Sequence, residues 1–144
     1  MNDQLSPLGA AIRDARSDDR IRRHTSPDVN AAIDRSSRAS IDDAVSAGRD
    51  AIVARLKELD REWDVDRALM TNFAIAGSIT HELGHRVHRG FTPFFRAQMG
   101  FLLMHAVVGW CPPLVLFRRL GFRTAKEIAA ERSALVERLG AVRA

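Results

Sequence analysis

Apolar positions along the chain change their spacing as the sequence proceeds. Ile41, Val45, Gly48, Ile52, Leu56, Leu59 and Trp63 recur every three or four residues. That is the stripe of an amphipathic helix, expected within 41–66. Ser40 with Asp43 three residues on predicts its N-terminal cap. Upstream, residues 1–40 mix Arg, Asp, Ser and Ala with isolated Ile and Leu and keep no period. Such a pattern predicts a polar, disordered N-terminal segment, with Arg20, Arg22 and Arg23 as part of a solvated tail beside Asp18 and Asp19. Two uncharged stretches follow, 13 residues at 68–80 and 21 residues at 97–117.

A helix crossing a bilayer needs about 20 mainly apolar residues, a length that the second stretch reaches and the first does not. Pro112 and Pro113 remove backbone donors and end or kink a helix, which leaves a continuous piece over 97–110, about 21 Å long. Residues 80–90, with three histidines and two arginines, read as a polar connector between the two apolar helices. A last helix is expected over 124–139, opened by Thr124 with Glu127 three residues later as a capping box. It presents Ile128, Leu135, Val136 and Leu139 and is polar enough to lie in water. The expected fold class is all-α: a two-helix membrane hairpin over 67–118, flanked by the amphipathic helix and a polar C-terminal helix within 119–144. Arg118, Arg119, Arg123 and Lys126 follow the second apolar stretch with no acid before Glu127, as at a cytoplasmic boundary, which would put both termini in the cytoplasm. Arg86, Arg89 and Arg96 on the connector side blunt that asymmetry.

Charge sharpens the division. The chain has 144 residues and a net charge of +4. Cut after Arg67, the first part carries 12 basic and 14 acidic residues and the rest 10 basic and 4 acidic. The length suits one domain. Seven Phe, two Trp and no Tyr offer few platforms for stacking bases, and the basic second part carries no recognised nucleic-acid motif, so no nucleic acid is expected as a partner. A single cysteine excludes an intrachain disulfide and a Cys-x-x-Cys pair. No basic segment leads into an apolar run near Met1, so no secretory leader is expected.

One motif invites an enzyme. His81-Glu82-Leu83-Gly84-His85 is a His-Glu-x-x-His pattern, in which two imidazoles one helical turn apart grip zinc while the glutamate activates its water. A catalytic zinc wants a third protein ligand, and Glu127 or Glu131, four apart on a helix, would supply it in the manner of the gluzincin metallopeptidases. Zinc metallopeptidase, with Glu82 as general base and His81 and His85 as ligands, is therefore the alternative function. In the leading reading the histidines belong to the connector, there is no cofactor, and no residue is catalytic.

The run LDREWDVDRALMTNFAIAGSI, Val-His-Arg-Gly-Phe at 87–91, and FLLMHAVVGWCPPLVLFRRLGFRTAKEIAAERSAL together resemble the bacterial YgaP-like transmembrane domain family over about 59–135. The resemblance implies two short helices forming a membrane hairpin, closed by a Gly-Trp-Cys-Pro signature that falls here on Trp110, Cys111 and Pro112. It also implies a small inner-membrane protein with an anchoring or interaction role and no assigned biochemical activity. The family's rhodanese fusion does not carry over, since the only cysteine here is the signature's own. The implied partner is the lipid bilayer. Association as a homo-oligomer could use the amphipathic seam or Cys111. A packed, inert thiol is the expectation for Cys111, and a packed, hydrogen-bonded imidazole for His105.

Overall fold

The computed structural model describes residues 19–141, and among them every regular element is a helix. In chain order these are a single turn α1 (Arg20–Arg23), α2 (Pro27–Ala47), α3 (Arg49–Leu59), α4 (Val65–Arg86), α5 (Phe91–Val108), α6 (Pro112–Arg119) and α7 (Ala125–Ala141). The all-α expectation holds. The described residues fall into two compact units, one made of those up to 63 with those from 123 on and the other of residues 64–122. The last helix returns to the elements before α4, a closure that no local pattern announces.

In the first unit α7 packs on both α2 and α3. Ala44, Ile52, Leu59 and Leu135 form its apolar core, with Ile41, Leu56, Ile128 and Leu139 packed at the edge. The core is small, and charged groups lie within the same unit. Glu127 and Glu131, one turn apart on α7, are both fully buried. Glu127 closes the expected capping box: the Thr124 N–H donates to its Oε2 at 2.8 Å, while its own N–H donates to Thr124 Oγ1 at 3.2 Å. Its other oxygen accepts from Arg22, which also holds Asp34 at 2.9 Å. Glu131 accepts from Arg55 Nε at 2.9 Å, from the Ser40 hydroxyl at 3.1 Å and from Arg123. Burial alone pushes the Glu131 carboxyl up, but the hydrogen bonds and charges of Arg55 and Arg123 outweigh it and hold the group below the usual carboxylate range. Arg123 also spans to Glu62, and the Ser37 hydroxyl accepts from it at 3.0 Å.

This network corrects several expectations. Residues 1–18 lie outside the described residues, but from Arg20 onward the segment expected to be disordered is helical, with α2 starting at Pro27. Proline suits a first helical position because its missing N–H would be unpaired there in any case. Ile33, Ser37 and Ala44 give α2 a buried face; Ser37 meets Arg123, 86 positions on, and Ala44 shares a core with Leu135, so apolar periodicity alone missed it. Arg22 is a buried-network cation instead of part of a solvated tail. The amphipathic stripe is real but is carried by two helices, because Gly48 adopts φ +94°, a left-handed conformation open to glycine, and breaks the chain there. Ser40 is therefore mid-helix, and its hydroxyl serves Glu131 instead of capping. The last helix is not simply a solvated one, since its Glu127, Ala130, Glu131 and Leu135 are buried.

In the second unit α4 and α5 form an antiparallel hairpin, and α6 packs on α4. The expected connector is shorter than its polarity suggests: α4 runs on through Arg86, and only residues 87–90 link it to α5.

Candidate functional site

α4 buries Val65, Leu69 and Phe73 in its first half and small residues toward the loop end. Gly77 and Gly84, two helical turns apart on α4, are buried against α5. A Cβ on Gly77 would stand 3.2 Å from the Met99 methyl, and one on Gly84 would stand 3.0 Å from Thr92 Oγ1 and 3.2 Å from the Thr92 nitrogen. Between them the Thr80 hydroxyl donates to the Gln98 side-chain oxygen at 2.8 Å. Small residues that let backbones approach, with an interhelical polar contact, are the packing mode of helices in lipid. At the other end His105 is buried, and its Nε2 lies 2.8 Å from the Asp66 carboxylate across the seam. That clamp fixes the register of the two helices, and His105 is packed as its position in the apolar run suggested.

The outer faces are apolar and uncovered. Met70, Ile75 and Ile79 on α4 are more than half exposed, as are Phe94, Leu103 and Val107 on α5. Along α5 only His105 is fully buried, while Thr92, Phe95, Gln98, Met99, Leu102 and Met104 are half-buried. The rest of its surface is almost uncharged, with Arg96 the one charged residue in the helix. A helix that is apolar on all sides ordinarily lies inside a core or in lipid.

The Gly-Trp-Cys-Pro-Pro segment is a device for turning the chain. Gly109 takes φ +84° and its N–H donates to the His105 carbonyl at 2.8 Å, which closes α5. Cys111 is extended and fully buried, and Pro112 and Pro113 start α6 without the N–H groups that the first turn of a helix leaves unpaired. The resulting bend between α5 and α6 is 69°. Trp110 is half-buried and Pro112 is exposed. Among the described residues no single helix is long and apolar enough to cross a membrane, whereas α5 and α6 pass that test together as a bent pair.

The His-Glu-x-x-His residues lie in the last turns of α4. His81 is exposed and tilted against the Phe95 ring, with centroids 5.2 Å apart. His85 is exposed one turn on, and Glu82 pairs with Arg86 at 2.6 Å. Glu127 and Glu131 belong to the other unit, where arginines already hold their carboxylates. Among the described residues no three His, Cys, Asp or Glu side chains are grouped to hold a metal ion. His88 Nδ1 accepts from the Gly90 N–H at 3.0 Å.

Sequence reasoning missed the Asp66 clamp and the glycine seam. The seven-residue spacing of Gly77 and Gly84 was a readable signal for the seam. Asp66 lies 39 positions from His105, and nothing local pairs them. No family model, curated protein or solved structure matches the chain.

Proposed function

We propose that the chain is a small membrane protein whose 64–122 unit is a bilayer-embedded hairpin with an anchoring or interaction role, as its resemblance to the YgaP-like transmembrane domain family implies. The observation that carries this reading is α5, apolar along most of its length yet fully buried only at His105. Lipid is the surrounding that does not penalise such a surface.

Three features support it. Toward its loop end the seam uses glycines and a threonine–glutamine hydrogen bond, beside the larger buried Val65, Leu69 and Phe73. The helix break at 109–111 is followed by two prolines, which leaves fewer backbone donors to satisfy where no water is at hand. The uncharged parts of α4 and α5 rise only about 20 Å and 18 Å against a hydrocarbon core of roughly 30 Å, so the insertion proposed is a bent one that uses α5 and α6 together. The exposed Arg86 and Arg89 on one side and Arg119 on the other then lie at the headgroups, whereas Arg118, expected at that boundary, is buried and donates to the Phe122 carbonyl at 2.9 Å. The first unit, polar on its outer faces and held by buried ion pairs, is the part placed in water, on the cytoplasmic side of a bacterial inner membrane.

The test is an alkaline carbonate wash of membranes from cells expressing the full chain. Retention in the pellet is expected, and Glu82→Ala is expected to be retained equally. Release of the unaltered chain into the supernatant overturns the reading.

A further inference from the structure

A groove of about 450 Å³ runs along the hairpin between α4 and α5. Its walls are apolar, with Met70, Phe73 and Leu102 toward one end and Phe95 toward the other, and Gly77 leaves its floor low. From Met70 to His81 the helix rises about 16 Å, so the groove is elongated. Its polar groups are Ser78 and His81, both toward the loop end. Beyond them the segment 81–96 carries Arg86, Arg89 and Arg96 against one carboxylate, Glu82, which is already paired with Arg86. Arg89 and Arg96 are exposed. The groove is thus an apolar slot with His81 at the end nearer the loop, the end of the hairpin whose sequence carries these arginines.

We infer that this groove holds one acyl chain of an anionic phospholipid, with the headgroup phosphate at His81 and the arginines of the loop end. The inference rests on the membrane reading and adds to it a lipid class and a place. Volume suits the occupant, since small-molecule sites commonly enclose 300–1,000 Å³ with mostly apolar walls and a few polar groups. Charge selects the headgroup. A net of two positive charges over 81–96 predicts a preference of at least about tenfold over a zwitterionic lipid. His81 is held by the Phe95 ring at the mouth of the groove, where its imidazole can donate to a phosphate oxygen.

The experiment uses the full chain in a non-ionic detergent, mixed with dioleoyl phosphatidylglycerol or dioleoyl phosphatidylcholine and examined by native mass spectrometry. Phosphatidylglycerol is expected to stay bound about tenfold more than phosphatidylcholine. Ala74→Phe places a ring in the groove from an exposed position and is expected to bring phosphatidylglycerol down to the phosphatidylcholine level. His81→Ala, which leaves the groove open, is expected to cut the preference at least threefold. Equal retention of the two lipids by the unaltered chain overturns the inference, as does full phosphatidylglycerol retention by Ala74→Phe. A lipid-free dimer that Ala74→Phe abolishes overturns it as well, because a second copy then fills the groove. A carbonate wash separates the two failures: loss of lipid selectivity with the chain still in the pellet removes the lipid site alone, whereas release from the pellet removes the membrane reading itself.

Discussion

Glu131→Gln is the substitution that most directly probes what holds the first unit together. The carboxylate is fully buried and accepts from Arg55, Arg123 and Ser40. Its two arginines are themselves well covered, Arg123 at 8% side-chain exposure and Arg55 at 26%, so solvent screens the pairs weakly. Removing one partner of a buried ion pair costs about 3–5 kcal/mol, because the remaining charge stays desolvated. Glutamine keeps the shape and one acceptor, and Arg123 retains Glu62, which places the expected loss near the low end, about 3 kcal/mol. For a unit of this size each kcal/mol moves the midpoint by roughly 4–8 °C, so the melting temperature should fall by about 12 °C or more. Circular dichroism at 222 nm on the full chain in detergent reads this, with the exposed Glu137→Gln as the control. A fall no larger than the control's refutes the claim that the charge of Glu131 organises the unit. The pH dependence gives an independent check. The folded carboxyl sits below its unfolded value, so its contribution is present above the unfolded value of about 4.3 and is lost as the pH falls through the folded value. The unaltered chain should therefore lose stability on acidification below about pH 4 more steeply than Glu131→Gln. Parallel acid curves would contradict the assignment.

Gly84→Ala should destabilise the hairpin by about 1–3 kcal/mol, since the new methyl would stand 3.0 Å from Thr92 Oγ1 and 3.2 Å from a backbone nitrogen. Faster proteolysis within 87–90 is the readout, and unchanged cleavage would mean the helices have room to part. His105→Phe should cost about 1 kcal/mol by removing the hydrogen bond to Asp66, whose carboxylate is 36% exposed, measured as a lower melting temperature in detergent. An unchanged midpoint would show that the clamp holds nothing. Gly109→Ala should cost about 1–2 kcal/mol because its φ of +84° is disfavoured for a residue with a Cβ. Spin labels on α5 and α6 should also report an altered or more broadly distributed bend. An unaltered distance distribution and midpoint would remove Gly109 from the turn's determinants.

By itself the sequence determined the elements whose causes are local. The helix break at Gly-Trp-Cys-Pro-Pro follows from a glycine stop and two donor-free prolines, and the capping box at Thr124 and Glu127 from two side chains three residues apart. The uncharged runs at 68–80 and 97–117 located the cores of α4 and α5, because apolar density is a property of each run alone. The tertiary structure decided what depends on distant partners. Arg22 becomes a network residue through a glutamate 105 positions away, and the polar segment from Pro27 becomes α2 because Glu131 and Arg123 meet it from the far end of the chain. The same holds for the histidine motif. Its spacing put two imidazoles one turn apart on α4, as any such helix would, but whether a third ligand converges depends on where the chain folds, and Glu127 and Glu131 are engaged by arginines. Local spacing sets which atoms share a helix face, whereas burial and pairing depend on contacts between residues far apart in the chain, which no short window of sequence contains.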